Sequence, residues 1–205
     1  LTGFKWIANR AMELKAERGL RMIFGYEEAL GYTVGELVRD KDGISAAVAM
    51  AELWVALRDQ GLTLLDQLES IARKFGLWAS GQIAATLPGK EGLDRIRAIM
   101  RSLREDPPSS IGPFTVVERS AALVGKRWGK DGEAVLPLPP SDVLFFQLEG
   151  GSRIVARPSG TEPKIKIYLD VVEQVAEGEE TVLAQERALS KLEALRGAMA
   201  SRAGL

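Results

Sequence analysis

The segment Arg157-Pro158-Ser159-Gly160-Thr161-Glu162-Pro163-Lys164-Ile165-Lys166 concentrates groups that suit an anion. Ser159 and Thr161 carry hydroxyls that donate hydrogen bonds, and Gly160 permits a turn that points successive backbone N–H groups at one spot. Arg157 offers a planar fork of donors that matches phosphate or carboxylate. This composition indicates a compact binding site for an anion, above all phosphate. The alternative is an ordinary polar hairpin loop, since Gly, Ser, Thr and Pro also fill turns.

A second stretch, Gly25-Tyr26-Glu27-Glu28-Ala29-Leu30-Gly31-Tyr32, places two carboxylates between glycines after an apolar run. Ligand groups in α/β proteins often follow the end of a strand. Glu27 and Glu28 would there accept hydrogen bonds from neighbouring sugar hydroxyls or bind a metal. The alternative is a pair of solvated acids on a surface turn.

Two other stretches have weaker chemical signals. Asp40-Lys41-Asp42-Gly43 starts like a calcium loop, but the twelfth position from Asp40 is Ala51 instead of glutamate, which excludes calcium. An acidic residue and a glycine before a helix explain this stretch better. Lys5 falls in the first turn of a predicted helix, where the helix dipole disfavours a cation, and this hints at another role.

Composition narrows the classes of function. The 205 residues are enough for one large or two small domains. The chain has no cysteine, which excludes disulfides, thiolate zinc sites and cysteine nucleophiles. It also has no histidine, so acid–base chemistry falls to carboxylates, lysine or tyrosine. A net charge of −1 disfavours nucleic acid as the main partner.

No segment resembles a signal peptide or a membrane span. The most apolar stretch, residues 44–57, contains Ser45 and Glu52 and is too short to cross a bilayer. We therefore expect no membrane partner and a location in the cytoplasm, which the lack of cysteine permits. Because the chain begins with Leu1 inside a patterned segment, we interpret it as a piece of a longer protein.

The elements that would position the first two motifs follow from apolar periodicity. Thr2 is the predicted N-cap of the first helix, and Thr63 with Asp66 forms a capping-box-like pair. The small, apolar helix at residues 44–58 is expected to be buried. The predicted elements are a helix at 2–18, a strand at 20–24, helices at 44–58 and 63–75, and a strand at 82–87.

A linker at Pro88-Gly89-Lys90 is predicted to open a second unit of strands enclosed by two helices. Gly150-Gly151 indicates a tight hairpin. In the last strand, apolar and polar residues alternate, so one of its faces should be buried. The predicted elements are a helix at 93–103, a strand at 114–118, a loop at 125–140, strands at 143–148, 153–157 and 165–171, and a helix at 179–201.

Three motifs in this order resemble the C-terminal part of an α-D-phosphohexomutase of the phosphoglucomutase/phosphomannomutase superfamily. Thr2-Gly3-Phe4-Lys5-Trp6 is similar to the lysine-bearing segment of the family's third domain. Gly25-Tyr26-Glu27-Glu28-Ala29, followed by Arg39-Asp40-Lys41-Asp42-Gly43, resembles its sugar-specificity loop and the helix start beyond it. Arg157-Pro158-Ser159-Gly160-Thr161 with Lys166 resembles the phosphate-binding loop of the fourth domain. The resemblance spans nearly the whole chain and favours the phosphoglucomutase-2-like branch.

The resemblance implies a fold of two parts, α/β and then α+β. Residues 1–87 would be the C-terminal part of the mixed-sheet third domain with the sugar-binding loop. Residues 88–205 would be the small fourth domain, an antiparallel, TBP-like sheet with helices on one face and the phosphate-binding loop.

It also implies a function: reversible interconversion of hexose 1-phosphate and hexose 6-phosphate through a phosphoserine and a bisphosphorylated sugar. Glu27 and Glu28 would hold the sugar, and Lys5 could assist the reacting phosphate. The groups expected to bind the distal phosphate are Arg157, Ser159, Gly160, Thr161 and Lys166.

The family's phosphoserine loop and Mg²⁺ loop belong to its first two domains, to which no stretch here corresponds. We therefore expect no metal site in this chain, partnership with N-terminal domains of the same protein, and dependence on an activator of the glucose 1,6-bisphosphate type. Many relatives carry serine where this chain has Ala29, so the preferred sugar stays open. The alternatives are a stand-alone module that binds phosphosugar or another anion without catalysis, and a nucleic-acid-binding sheet, which the net charge disfavours.

Overall fold

The computed structural model describes residues 3–27, 30–160 and 162–205. Its backbone forms two compact units, Leu1–Leu68 and Glu69–Leu205. Helix α3 crosses this division. The division into family domains between residues 87 and 88 stays a prediction.

The first unit contains three helices and a hairpin. These are α1 (Phe4–Arg18), β1 (Phe24–Glu27), β2 (Gly31–Val34), α2 (Gly43–Asp59) and the start of α3 (Leu64–Phe75). Gly3, and not the predicted Thr2, is the N-cap residue of α1, and it makes no side-chain capping bond. The predicted capping box of α3 is confirmed, because the Thr63 hydroxyl and the Asp66 carboxylate exchange hydrogen bonds with each other's backbone N–H.

The strand predicted at residues 20–24 and the loop predicted at 25–32 are wrong. The chain instead forms an antiparallel hairpin in which Tyr26 lies opposite Tyr32 and Glu27 opposite Gly31. The glycines were interpreted as loop boundaries, whereas aromatic pairing favours strands here. The ring of Phe24 lies 6.2 Å from the rings of both tyrosines.

Helix α2 follows the predicted bounds closely, but it is not buried. Leu57 is the only buried residue of this helix, while Ile44 is 82% and Trp54 51% exposed. Apolar side chains are buried only where enough neighbouring surface covers them. Among the described residues α2 packs against the short strand β2, which covers little of the helix. The apolar side chains of α3 are also largely exposed.

The second unit is built on one antiparallel sheet. Its elements are β3 (Leu77–Thr86), α4 (Gly89–Glu105), β4 (Ser110–Ile111), β5 (Phe114–Ala121), β6 (Lys126–Gly129), β7 (Gly132–Val135), β8 (Leu144–Leu148), β9 (Arg153–Pro158), β10 (Lys164–Glu173) and α5 (Thr181–Ala203). The strand order is β3-β10-β9-β8-β5-β6-β7, and β4 pairs with β5. A short 3-10 turn, Glu149–Gly151, joins β8 to β9 at the predicted hairpin.

Helices α4 and α5 cover one face of this sheet, as predicted. The alternation in β10 is confirmed, since Ile165, Ile167, Leu169 and Val171 are all 0% exposed. They join a core with buried residues of β8 and β9 and with Met100 of α4 and Leu195 of α5. The opposite face of the sheet carries the polar side chains of β9 and β10. Side chains that could bind a ligand in this unit therefore lie on that face or at the strand ends.

Three predictions in the second unit need correction. The region 125–140 contains the hairpin β6–β7, which cross-strand contacts stabilise: Lys126 pairs with Glu133 at 2.7 Å, and Trp128 donates to the same carboxylate at 2.9 Å. The predicted linker at 88–90 is the start of α4, and β3 begins at Leu77, five residues early, because β10 pairs with it along its whole length.

Within the described ranges, no helix is long and apolar enough to span a membrane.

Candidate functional site

Arg157 lies near the end of β9 on the sheet face that the helices leave open. Its partner residue across the ladder is Lys166 of β10. An Nη of Arg157 donates a 3.0 Å hydrogen bond to the hydroxyl of Tyr168, whose ring centroid is 5.7 Å from the guanidinium carbon. The Nε of Arg157 is buried and has no hydrogen-bond partner among the described residues. Among the described side chains only Tyr168 binds the guanidinium, so its other Nη group can donate to an anion.

The loop of residues 159–163 joins β9 to β10, as predicted, and its base is closed by backbone hydrogen bonds. Ser159 N donates to the carbonyl of Lys164 at 2.7 Å, and Leu87 N donates to the carbonyl of Pro163 at 2.8 Å. A Cβ added to Gly160 would meet nothing within 4 Å, so no described neighbour requires glycine there. Thr161, the second predicted hydroxyl, lies outside the described residues.

The open face carries charge in two groups. Asp170 accepts 2.6 Å hydrogen bonds from Nε of Arg153 and from the Ser80 hydroxyl, which neutralises the far end of β9. At the loop end, Arg157 and Lys166 are adjacent cations, and no described carboxylate forms an ion pair with either of them. The local positive charge beside the loop therefore favours an anion.

In the first unit, Glu27 ends β1 in a tightly filled space. A Cβ added to Gly31 would lie 2.7 Å from Cγ of Glu27 and 3.0 Å from Cδ of Lys41. Leu30, next in the hairpin loop, has φ 58°, a left-handed conformation that favours glycine. Glu28, the second predicted carboxylate, lies outside the described residues.

Lys41 lies beside Glu27 and carries a firmly held positive charge. Its hydrogen bond to Asp40 raises its pKa, and the charges of Asp40 and Glu27 add to this effect. The ammonium also lies 5.5 Å from the ring centroid of the buried Phe4. Glu27 of the hairpin and Lys41 after it thus place a carboxylate and an ammonium near each other, which suits a polyhydroxylated ligand.

Lys5 is exposed in the first turn of α1, with its Nζ 5.6 Å from the ring centroid of Trp6. Asp42 caps α2, accepting hydrogen bonds from the backbone N–H of Ile44 and Ser45, as the helix-start interpretation predicts. Among the described residues no three carboxylates cluster in a way that could hold a metal ion.

Tyr168 and Lys41 are residues whose part in these sites the sequence did not predict. The alternation of β10 places Tyr168 on the open face, but its contact with Arg157 depends on the strand register. Lys41 lies in a motif that was recognised, but its proximity to Glu27 requires the fold of the hairpin. Neither contact leaves a signal in residue spacing alone.

The fold and this basic loop define the second unit as an antiparallel α+β domain with an anion-suited hairpin at its strand ends. The family model described as "Phosphoglucomutase/phosphomannomutase, C-terminal domain" matches residues 86–188. The model "Phosphoglucomutase/phosphomannomutase, alpha/beta/alpha domain III" matches residues 1–75. The chain belongs to the phosphoglucomutase/phosphomannomutase family.

Curated relatives agree with this assignment. A probable phosphomannomutase from Haemophilus influenzae is 39% identical over 186 residues, covering 90% of this chain and 33% of that protein. A probable phosphoribomutase from Schizosaccharomyces pombe is 37% identical over 177 residues, covering 82% of this chain and 30% of that protein. The chain thus spans about a third of the length of these relatives.

Among solved structures, the open form of the exocytosis-sensitive phosphoprotein pp63/parafusin, a phosphoglucomutase from Paramecium, matches with a TM-score of 0.59. The match covers 100% of this chain and 34% of the other, at 20% identity. At this identity the likeness shows the fold alone.

Proposed function

We propose that this chain is the substrate-gripping part of a phosphohexomutase that interconverts sugar 1-phosphates and 6-phosphates through a phosphoserine and a bisphosphorylated sugar. Its own residues bind and orient substrate. Arg157, Ser159, Gly160, Thr161 and Lys166 hold the distal phosphate, and Glu27 and Glu28 accept hydrogen bonds from sugar hydroxyls. Lys5 assists near the reacting phosphate.

The observation that carries this proposal is the set of contacts that Arg157 makes. The Tyr168 hydroxyl holds its guanidinium, no described carboxylate forms an ion pair with it, and Lys166 lies directly across the ladder. Phosphoryl transfer depends mainly on positioning and charge stabilisation, so a fixed grip on the distal phosphate contributes directly to catalysis.

The phosphoserine and the Mg²⁺ site are assigned to other domains of the same protein, which are the chain's partners in this proposal. Mg²⁺, where bound, would stabilise charge on the transferring phosphoryl group. An activator of the glucose 1,6-bisphosphate type would prime the serine. The protein would act in the cytoplasm, without nucleic acid or membrane as a partner. Relatives named for mannose and ribose phosphates make both hexose and pentose phosphates candidate substrates.

The test is calorimetric titration of the intact protein with glucose 6-phosphate, mannose 6-phosphate and ribose 5-phosphate. Arg157→Ala should weaken binding of the preferred ligand by about 1–3 kcal/mol, the range for charge-assisted hydrogen bonds. Arg153→Ala is the matched control, since Arg153 lies on the same strand and face but pairs with Asp170. Equal affinity in the wild type and in Arg157→Ala would contradict the proposal.

A further inference from the structure

Tyr168 contacts Arg157 from the neighbouring strand. In the β9–β10 ladder Tyr168 lies opposite Val155, so it reaches Arg157 diagonally, two residues along. Its hydroxyl accepts the 3.0 Å hydrogen bond from Nη of Arg157, and its ring lies within cation–π distance of the guanidinium. The hydroxyl thus holds the guanidinium at the edge of the ring.

The chemistry of this contact differs from that of the other described arginines whose Nε is buried. Arg104 and Arg196 also have a buried, unpartnered Nε, but Arg104 pairs with the carboxylate of Asp142 and Arg196 with that of Glu193. Arg157 is instead held by a neutral hydroxyl. Tyr168 therefore orients the guanidinium without neutralising its charge.

Orientation matters because a free arginine side chain has many rotamers, and ordering it opposes binding. Tyr168 bonds one Nη, and the other Nη, which forms no hydrogen bond with the described residues, is left to donate to an anion. A preset, uncompensated guanidinium is what a tetrahedral, doubly charged ligand requires.

We propose that Tyr168 is a positioning residue that presets Arg157 for the distal phosphate of the substrate. This inference rests on the proposed function, in which Arg157 grips that phosphate. It adds a residue outside the loop to the determinants of phosphate affinity.

A double-mutant cycle in the intact protein tests it, with glucose 6-phosphate as the probe and calorimetry as the readout. Tyr168→Phe keeps the ring and removes the hydroxyl, so affinity should fall about three- to tenfold, the effect of losing one modest hydrogen bond. In the Arg157→Ala background the same substitution should have almost no effect. Asp170→Asn is the control, since Asp170 lies on the same face of β10 but contacts Arg153 and Ser80.

The outcomes separate the two proposals. Loss of affinity in Arg157→Ala, without loss in Tyr168→Phe, overturns the positioning role and leaves the proposed function standing. The positioning role is also overturned if Tyr168→Phe lowers the affinity equally in the wild type and in the Arg157→Ala background. In that case the effect of Tyr168 on binding would not depend on Arg157. No loss in Arg157→Ala overturns the proposed function, and the inference with it.

A measurement on the wild type makes the test independent of how the variants fold. The Nη–H signals of Arg157 in a nuclear magnetic resonance spectrum should be sharp and protected from exchange before ligand is added, because Tyr168 accepts a hydrogen bond from one Nη. A signal that becomes so only after glucose 6-phosphate is added would overturn the preset state.

Discussion

Position 31 illustrates how a single residue controls the geometry around Glu27. Gly31 faces Glu27 across the hairpin, and the space where its Cβ would stand is already occupied by the side chains of Glu27 and Lys41. Both neighbours are long and flexible, so a methyl group there would displace them instead of moving the backbone. Because Gly31 has no side chain, the Glu27 carboxylate can keep its position.

Gly31→Ala should accordingly change binding more than folding. We expect affinity for the sugar phosphate to fall by about 1–2 kcal/mol, because the Glu27 carboxylate moves away from the sugar hydroxyls. The unfolding free energy should change by less than about 1 kcal/mol. Gly43→Ala, at the open start of α2, is the control and should leave affinity unchanged. Titration and chemical denaturation measure the two quantities, and a stability loss without an affinity loss would contradict this reading.

At the scale of elements, an ion-pair cluster ties the start of α5 to β10. Arg187 of α5 donates to Glu179, just before the helix, and to Glu173 at the end of β10. Ala176 N also donates to Glu179 at 2.9 Å. The hydrogen bonds from Arg187 and then from Ala176 lower the pKa of Glu179 to about 2. The turn between β10 and α5 thus depends on an ionised carboxylate.

This gives a pH dependence of stability. A carboxyl with a lowered pKa in the folded state stabilises the protein above its ordinary pKa of 4.5, and this contribution is lost as the pH falls toward about 2. Denaturant unfolding between pH 6 and pH 2.5 should therefore show a smaller loss of stability in Glu179→Gln than in the wild type. Glu177→Gln, at an exposed position in the same turn, should behave like the wild type. Identical pH profiles for the wild type and Glu179→Gln would refute the assignment.

Local patterns were sufficient to predict elements with strong periodicity or clear caps. The alternation of β10, the capping box of α3 and the helices α4 and α5 all follow from residues near one another in sequence. The hairpins β1–β2 and β6–β7 could not be predicted in this way, because their stability comes from cross-strand pairs such as Tyr26 with Tyr32. The exposure of α2 depends on how much surface surrounds it, which no local pattern records.

The residues of the candidate site also fall into two groups, those predicted from local sequence and those that only the fold brings together. Residue types alone predict Arg157, Ser159, Gly160 and Glu27 as site residues, since their chemistry is visible in the sequence, and these assignments stay predictions. Tyr168 and Lys41 become visible only through register and packing. Secondary contacts of this kind are set by tertiary structure and leave little trace in a short motif.

At the scale of the whole molecule, this chain spans about a third of its relatives' length, and the proposal assigns the phosphoserine elsewhere. The 205-residue chain alone, supplied with glucose 1-phosphate, Mg²⁺ and glucose 1,6-bisphosphate, should therefore give no mutase turnover. A coupled assay for glucose 6-phosphate measures this, with a complete phosphoglucomutase as the positive control. Robust turnover by the chain alone would show that bond-making groups lie within these residues.

The backbone hydrogen bonds at the base of the 159–163 loop bear on the thermodynamics of ligand capture. Ser159 is joined to Lys164 of β10, and Pro163 is joined to Leu87, just after the end of β3, so both ends of the loop are fixed beside the sheet. We therefore expect a phosphate that docks there to bind with a small heat-capacity change, without the signature of coupled folding. Under the proposed function, release would likewise need no unfolding at the base of the loop.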